Sequence, residues 1–269
     1  MRGIWEIFEV EREALRSSSV HAIDARAKLL STLFIILAAV AVGRSGAVEF
    51  NARVLALGLL MLYLLLLALL AKLEMRLFLL RIALVLPFGG SIVLLKPFLE
   101  PGEVLFSFSL LRVTREGIAE AAILLGVMLV CVSAAVLLSS TTRAHELVSA
   151  LRSLRLPGEA ALVLGMTVRF LFLYMRSLQE IMQAQRNRCF ALRGGAERSH
   201  VLRVLGYTAA MIFLRAYKHG EAVYQAMLSR GYSAERLRSG ELKRLRRRDL
   251  LFASASFAVA VFAVLTAFS

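Results

Sequence analysis

The sequence predicts an all-α membrane protein of about five transmembrane helices, plus a module of two long helices and one short helix. Three observations predict it. Of the 269 residues, 59% are hydrophobic, against about 45–50% in soluble domains, and mean hydropathy is +0.71. Several apolar runs approach the roughly 17–25 residues that carry a helix across hydrocarbon. Basic residues are concentrated in one stretch: Arg143 to Arg248 holds 20 Lys/Arg and 7 acids, a balance of +13 out of the chain's +14.

Ala27–Gly43 is the first expected span, stopped by Arg44-Ser45-Gly46, and Val54–Ala71 is a Leu-rich second. Leu77–Leu95 contains Arg81, Pro87, Gly89 and Gly90, which predicts a kinked or tilted third helix. From Lys96 to Arg115, Pro97, Pro101-Gly102 and the alternating Val104–Ser109 run predict an ordered loop or small hairpin. Gly117–Ser140 and Leu250–Phe268 are the fourth and fifth spans. The resulting division is a leader at 1–26, four spans within 27–140, the helical module at 141–248 and a last span at 249–269. Ile4, Ile7, Phe8 and Leu15 in the leader fall at helical spacing and fit a short interfacial helix or an ordinary solvated segment.

In the module, Thr141 or Thr142 is expected to cap a short helix that Pro157-Gly158 ends. Glu159–Leu192 predicts one helix of 34 residues, roughly 50 Å long. His200–Arg230 predicts another, with Gly231 just past its C-terminus. Arg169, Arg176, Glu180, Arg186 and Arg188 on the first, and Arg203, Arg215, Lys218 and Glu221 on the second, are costly in mid-bilayer. Both helices are therefore expected to leave the membrane or to run along its cytoplasmic boundary, with two additional spans as the alternative. Positive residues stay in the cytoplasm, which puts the module and the N-terminus inside and the C-terminus outside.

The chemistry of common enzymes is missing. The sequence has no Gly-Lys pair and so no phosphate loop. His21, His145, His200 and His219 lack paired metal-ligand spacing; His145 and His219 could face phosphates, but ordinary helix surface is expected. Cys131 and Cys189 share no metal-type spacing. Arg81 and Glu120 read as the lone charges within spans, both near span ends. No cofactor, metal or nucleic-acid partner is expected.

A weak repeat does stand out. Asn187-Arg188-Cys189-Phe190 and Ser229-Arg230-Gly231-Tyr232 share the order small or polar, Arg, small, aromatic, each after an Ala-containing helix tail. Small flanking residues let a partner approach, and the guanidinium fork can bond carbonyls or carboxylates in pairs. Two solvated arginines favoured by helix dipoles would give the same pattern.

Thr141-Thr142-Arg143-Ala144-His145-Glu146-Leu147, Val168-Arg169-Phe170, Ile23-Asp24-Ala25-Arg26-Ala27-Lys28-Leu29 and Glu221 through Tyr232 resemble the transmembrane T component of energy-coupling-factor (ECF) transporters, leaning toward the cobalt/nickel type. The resemblance implies a non-catalytic scaffold in the cell membrane. Its partners would be two cytoplasmic ATP-binding cassette ATPases, which hydrolyse the ATP, a membrane-embedded substrate-binding (S) component, and the lipid bilayer around them. It also implies that Arg188 and Arg230 insert into ATPase grooves, flanked by Asn187 and Cys189 and by Ser229 and Gly231. Asn187 and Cys189 depart from the family's Ala and Ser/Gly, so Arg186 competes with Arg188. A vitamin-type T component is a second reading. An ordinary ABC permease is a third, since Glu-Ala-Ala-x-x-x-Gly occurs at Glu120 and at Glu159. A membrane enzyme is a fourth.

Overall fold

The computed structural model describes residues 20–45, 50–99, 104–108, 111–154, 157–188, 198–232 and 246–268. The interfacial helix expected in the leader lies outside them. The chain divides into two compact units, Met1–Ala150 with Lys243–Ser269, and Leu151–Leu242.

The first unit is a helical bundle. Helix α1 spans Ala25–Arg44, α2 Phe50–Leu70 and α3 Met75–Leu99. Strands β1 (Val104–Phe108) and β2 (Leu111–Thr114) pair antiparallel, the hairpin of the two expected alternatives. Helices α4 (Arg115–Thr141) and α5 (Ala144–Ser153) follow, and α8 (Arg247–Phe268) completes the unit.

Every expected span is present as a helix, each a little longer than its apolar run, and in α4 a capping residue sets the extension. Thr114 shows why: its Oγ1 accepts the Gly117 N–H at 3.2 Å, which starts α4 two residues before Gly117. The third span is bent by 50° between Met75–Val85 and Gly89–Phe98. Pro87 at the break lacks an N–H and clashes with the preceding turn. Lys96 and Pro97, expected in the connecting loop, lie in the last turns of this helix.

Thr141 and Thr142 do not cap α5. Thr141 is the last residue of α4, with its Oγ1 on the Leu137 carbonyl at 2.8 Å, and Thr142 is that helix's C-cap. Arg143 precedes α5, and its carbonyl accepts the Glu146 and Leu147 amides. A threonine hydroxyl bonds back to the preceding turn as readily as it caps a following one.

The core is built from small and aliphatic residues. Ile35, Ala39 and Val42 of α1, Leu60 and Leu64 of α2, Val130 and Ala134 of α4, and Ala260, Ala263 and Ala267 of α8 form one buried cluster. Small residues let helix axes approach closely in a bilayer, where packing rather than water exclusion holds helices together. Gly117 shows how close: a Cβ there would fall 2.8 Å from Pro97 Cα. Leucines such as Leu55 (71% exposed) and Leu94 (72%) face outward, a surface that suits lipid and not water.

The second unit contains α6 (Gly158–Asn187) and α7 (Arg198–Ser229). Helix α6 stops at Asn187, five residues short of the expected end at Leu192. It also holds a window apolar enough to cross a membrane, as do α1, α2, α4 and α8, while α3 qualifies only as a bent pair. The set of candidate spans therefore differs from the expected one by including α6.

Candidate coupling site

The two arginine motifs end the two helices of the second unit in different ways. Helix α7 closes with a complete C-terminal hydrogen-bond motif: the Gly231 amide donates to the Leu228 carbonyl at 2.9 Å, and the Tyr232 amide to Met227 at 3.0 Å. Gly231 has φ 71°, the left-handed conformation this closure needs and glycine adopts without a Cβ clash. Ser229 Oγ bonds the Ala226 carbonyl at 3.0 Å. Arg230 thus sits at a defined helix end, exposed, with no ion pair among the described residues.

Arg188 is the C-cap of α6, with φ −93° and ψ 24°, and its amide bonds the Ala184 and Gln185 carbonyls. Its side chain and that of Asn187 are exposed. Cys189 lies outside the described residues. Arg186 is also exposed but has an interaction partner. The second motif therefore has a glycine-locked end, and the first ends on a residue of ordinary backbone conformation.

The first unit holds a polar joint at the C-terminal end of α4. Lys28 is 3% exposed and donates from Nζ to the Thr141 carbonyl at 2.9 Å and to His21 O at 3.3 Å. Arg81 Nη1 donates to Ser140 Oγ at 2.7 Å. Two cations thus meet the C-terminal turn of α4, where carbonyls and the helix dipole favour positive charge. Asp249, 4% exposed, accepts the Asp24 amide at 3.0 Å and the Arg246 amide at 2.9 Å, while Asp24 Oδ1 accepts the Arg26 amide at 3.0 Å. Together these bonds hold the starts of α1 and α8 and the end of α4, which only Thr142 and Arg143 separate from α5.

Two further polar links cross the bundle. Arg53 Nη1 meets Glu120 Oε1 at 2.7 Å, with Lys96 Nζ 3.6 Å from Oε2, and the Tyr63 hydroxyl meets Ser256 Oγ at 2.7 Å. Glu120 and Arg81 are therefore not the lone charges within the spans, since Lys28 and Arg53 are buried there as well. Sequence reasoning missed both because each stands in the first turn of its helix, at the edge of an apolar run. The available signal was Asp24 four residues before Lys28, a spacing that places both on one helix face.

The fold defines a multi-pass helical membrane protein. The comparisons make the family specific. Residues 16–239 match the family model CbiQ, described as cobalt transport protein. The energy-coupling factor transporter transmembrane protein EcfT of Thermanaerovibrio acidaminovorans is 31% identical over 226 residues, covering 80% of this chain and 79% of the relative. EcfT of Limosilactobacillus fermentum is 26% identical over 56% of this chain and 59% of its own length. An uncharacterized protein, MJ1571 of Methanocaldococcus jannaschii, is 27% identical over 72% of this chain, and the match spans 65% of that relative's length. The chain belongs to the CbiQ/EcfT family of transporter transmembrane proteins.

Proposed function

We propose that this chain is the coupling subunit of an ECF-type importer in the cytoplasmic membrane, carrying ATP-driven movement of two ATPases to a membrane-embedded substrate-binding subunit. ATP is hydrolysed by the partners, and this chain is the non-catalytic scaffold between them. The cargo is cobalt or nickel, and the description of the matched family as a cobalt transport protein supports the first of these. The N-terminus and the second unit face the cytoplasm and the C-terminus faces outside. The excess of basic residues between Arg143 and Arg248 supports that orientation.

Arg230 is the observation that carries the coupling role. A cation at the end of a 32-residue helix with a locked terminus, exposed and without an ion pair among the described residues, is built to be paired by another protein. Arg188 is its counterpart on α6, one arginine for each ATPase. Truncating one partner of a buried interfacial charge pair costs about 2–5 kcal/mol. Arg230→Ala and Arg188→Ala should each lower retention of the ATPases and metal uptake at least about tenfold, with the double variant near background. Arg186→Ala should be close to wild type. Silence of both Arg188→Ala and Arg230→Ala would remove the coupling assignment, and damage from Arg186→Ala alone would move the first anchor two residues.

A further inference from the structure

Between α6 and α7, inside the second unit, lies an open cavity of about 620 Å³, within the roughly 300–1,000 Å³ of small-molecule sites. Arg176 on α6 and Arg215 and Lys218 on α7 line it, with Glu180 as the one carboxylate. The formal excess is two positive charges, without counting His219. Arg215 is held at the wall by a bond from Nη1 to Ser177 Oγ at 3.2 Å. None of the three cations has an ion pair among the described residues. Like charges gathered on facing helices repel one another, and an anion seated between them relieves the repulsion.

The rest of the wall decides which anion. Leu173 and Tyr174 line the same cavity, and His219 packs edge-on against Phe170, with ring centroids 5.2 Å apart. Close to the cations in sequence, Leu171, Met211, Leu214 and Tyr217 are exposed. A free phosphate gains nothing from such apolar surface, whereas a phosphate that carries acyl chains does.

We propose that this cavity binds the phosphate of an acidic phospholipid head group, with the acyl chains on the neighbouring apolar residues. The inference rests on the reading that α6 and α7 run along the cytoplasmic boundary of the membrane, where anionic head groups lie. Binding would then fix both long helices to the bilayer surface at the place where they face one another.

The test uses the full chain purified in detergent and offered equal amounts of phosphatidylglycerol and phosphatidylcholine, with retained lipid counted by native mass spectrometry. Phosphatidylglycerol should be retained preferentially. Gln at Arg176, Arg215 or Lys218 should each lower its retention roughly fivefold. Arg176→Lys should keep most of it, and Arg169→Gln and Arg203→Gln, which lie outside the cavity, should keep the preference. Displacement of the lipid by excess inorganic phosphate would support recognition of the phosphate itself. Phosphate binding as tightly as the lipid would assign the site to a soluble ligand and remove the lipid. Equal retention of both lipids, or an unchanged preference in R176Q/R215Q/K218Q, would overturn the proposal. ATPase partners take no part in this measurement, so it reads independently of the arginine substitutions above.

Discussion

One carboxylate, that of Asp249, closes the N-terminal ends of both the first and the last membrane helix by accepting the amide of Asp24 at 3.0 Å and of Arg246 at 2.9 Å. Asp249 lies in the first turn of α8, where an acidic side chain that reaches back to the cap amide also meets the positive end of the helix dipole. The bond to Asp24 does the same for α1 from 225 residues away.

Asp249→Ala should therefore leave two amides without their acceptor and destabilise the bundle by about 1–3 kcal/mol. Asp249→Asn keeps one acceptor oxygen and should lie between alanine and wild type. Apparent melting temperatures of the detergent-purified variants order the three. Equal stability of Asp249→Ala and wild type would show that water replaces the carboxylate.

Lys28→Met should lower stability by about 1.5–3 kcal/mol, because it removes a charged donor from the buried Thr141 carbonyl without providing another. Methionine fills similar volume, so the loss reports the hydrogen bond and not a cavity. Amide hydrogen exchange should rise at the end of α4 and the start of α5, the segment that Lys28 secures. Protection unchanged there would separate Lys28 from the joint.

The left-handed positions give predictions of opposite sign. Gly231→Ala places a Cβ at φ 71° and should loosen the end of α7, at about 1–2 kcal/mol for the left-handed conformation. Lys72 closes α2 with the same bonding pattern, its amide on Leu69 and that of Leu73 on Ala68, at φ 53°. Lys72→Gly removes that penalty at the cost of a more flexible unfolded chain, so it should be neutral or mildly stabilising. Melting temperatures that fall for both variants would contradict the left-handed assignment at Lys72.

Orientation is open to direct measurement. In a background lacking Cys131 and Cys189, a cysteine at Gly195 should be labelled only by reagents that reach the cytoplasm, and one at Gly102 from outside. Helix α6 makes the test sharp, because its apolar window would let it cross and would carry Gly195 to the outer face. Labelling of Gly195 from outside would reverse the proposed topology.

What the sequence determined by itself is local. Apolar runs placed every span in the bundle, Pro87 the bend, Val104–Ser109 the hairpin, and Gly231 the end of α7, because each follows from hydropathy or from the backbone preferences of one residue. The position of Arg230 at a helix end was legible for the same reason, whereas Arg188 was expected inside a helix running to Leu192 and stands instead at the end of α6. Tertiary structure decided which charges are buried and what they hold. Lys28 finds Thr141 across 113 residues, Arg53 finds Glu120 across 67, and Asp249, within a run of arginines, finds Asp24. Whether a charged residue is buried depends on a partner that removes the cost of desolvation. Such a partner is brought near only by packing, which periodicity along one helix does not encode. The basic cavity between α6 and α7 belongs to the same class. Arg176 stands far in sequence from Arg215 and Lys218, and the three become a site only when two helices bring them to one crevice.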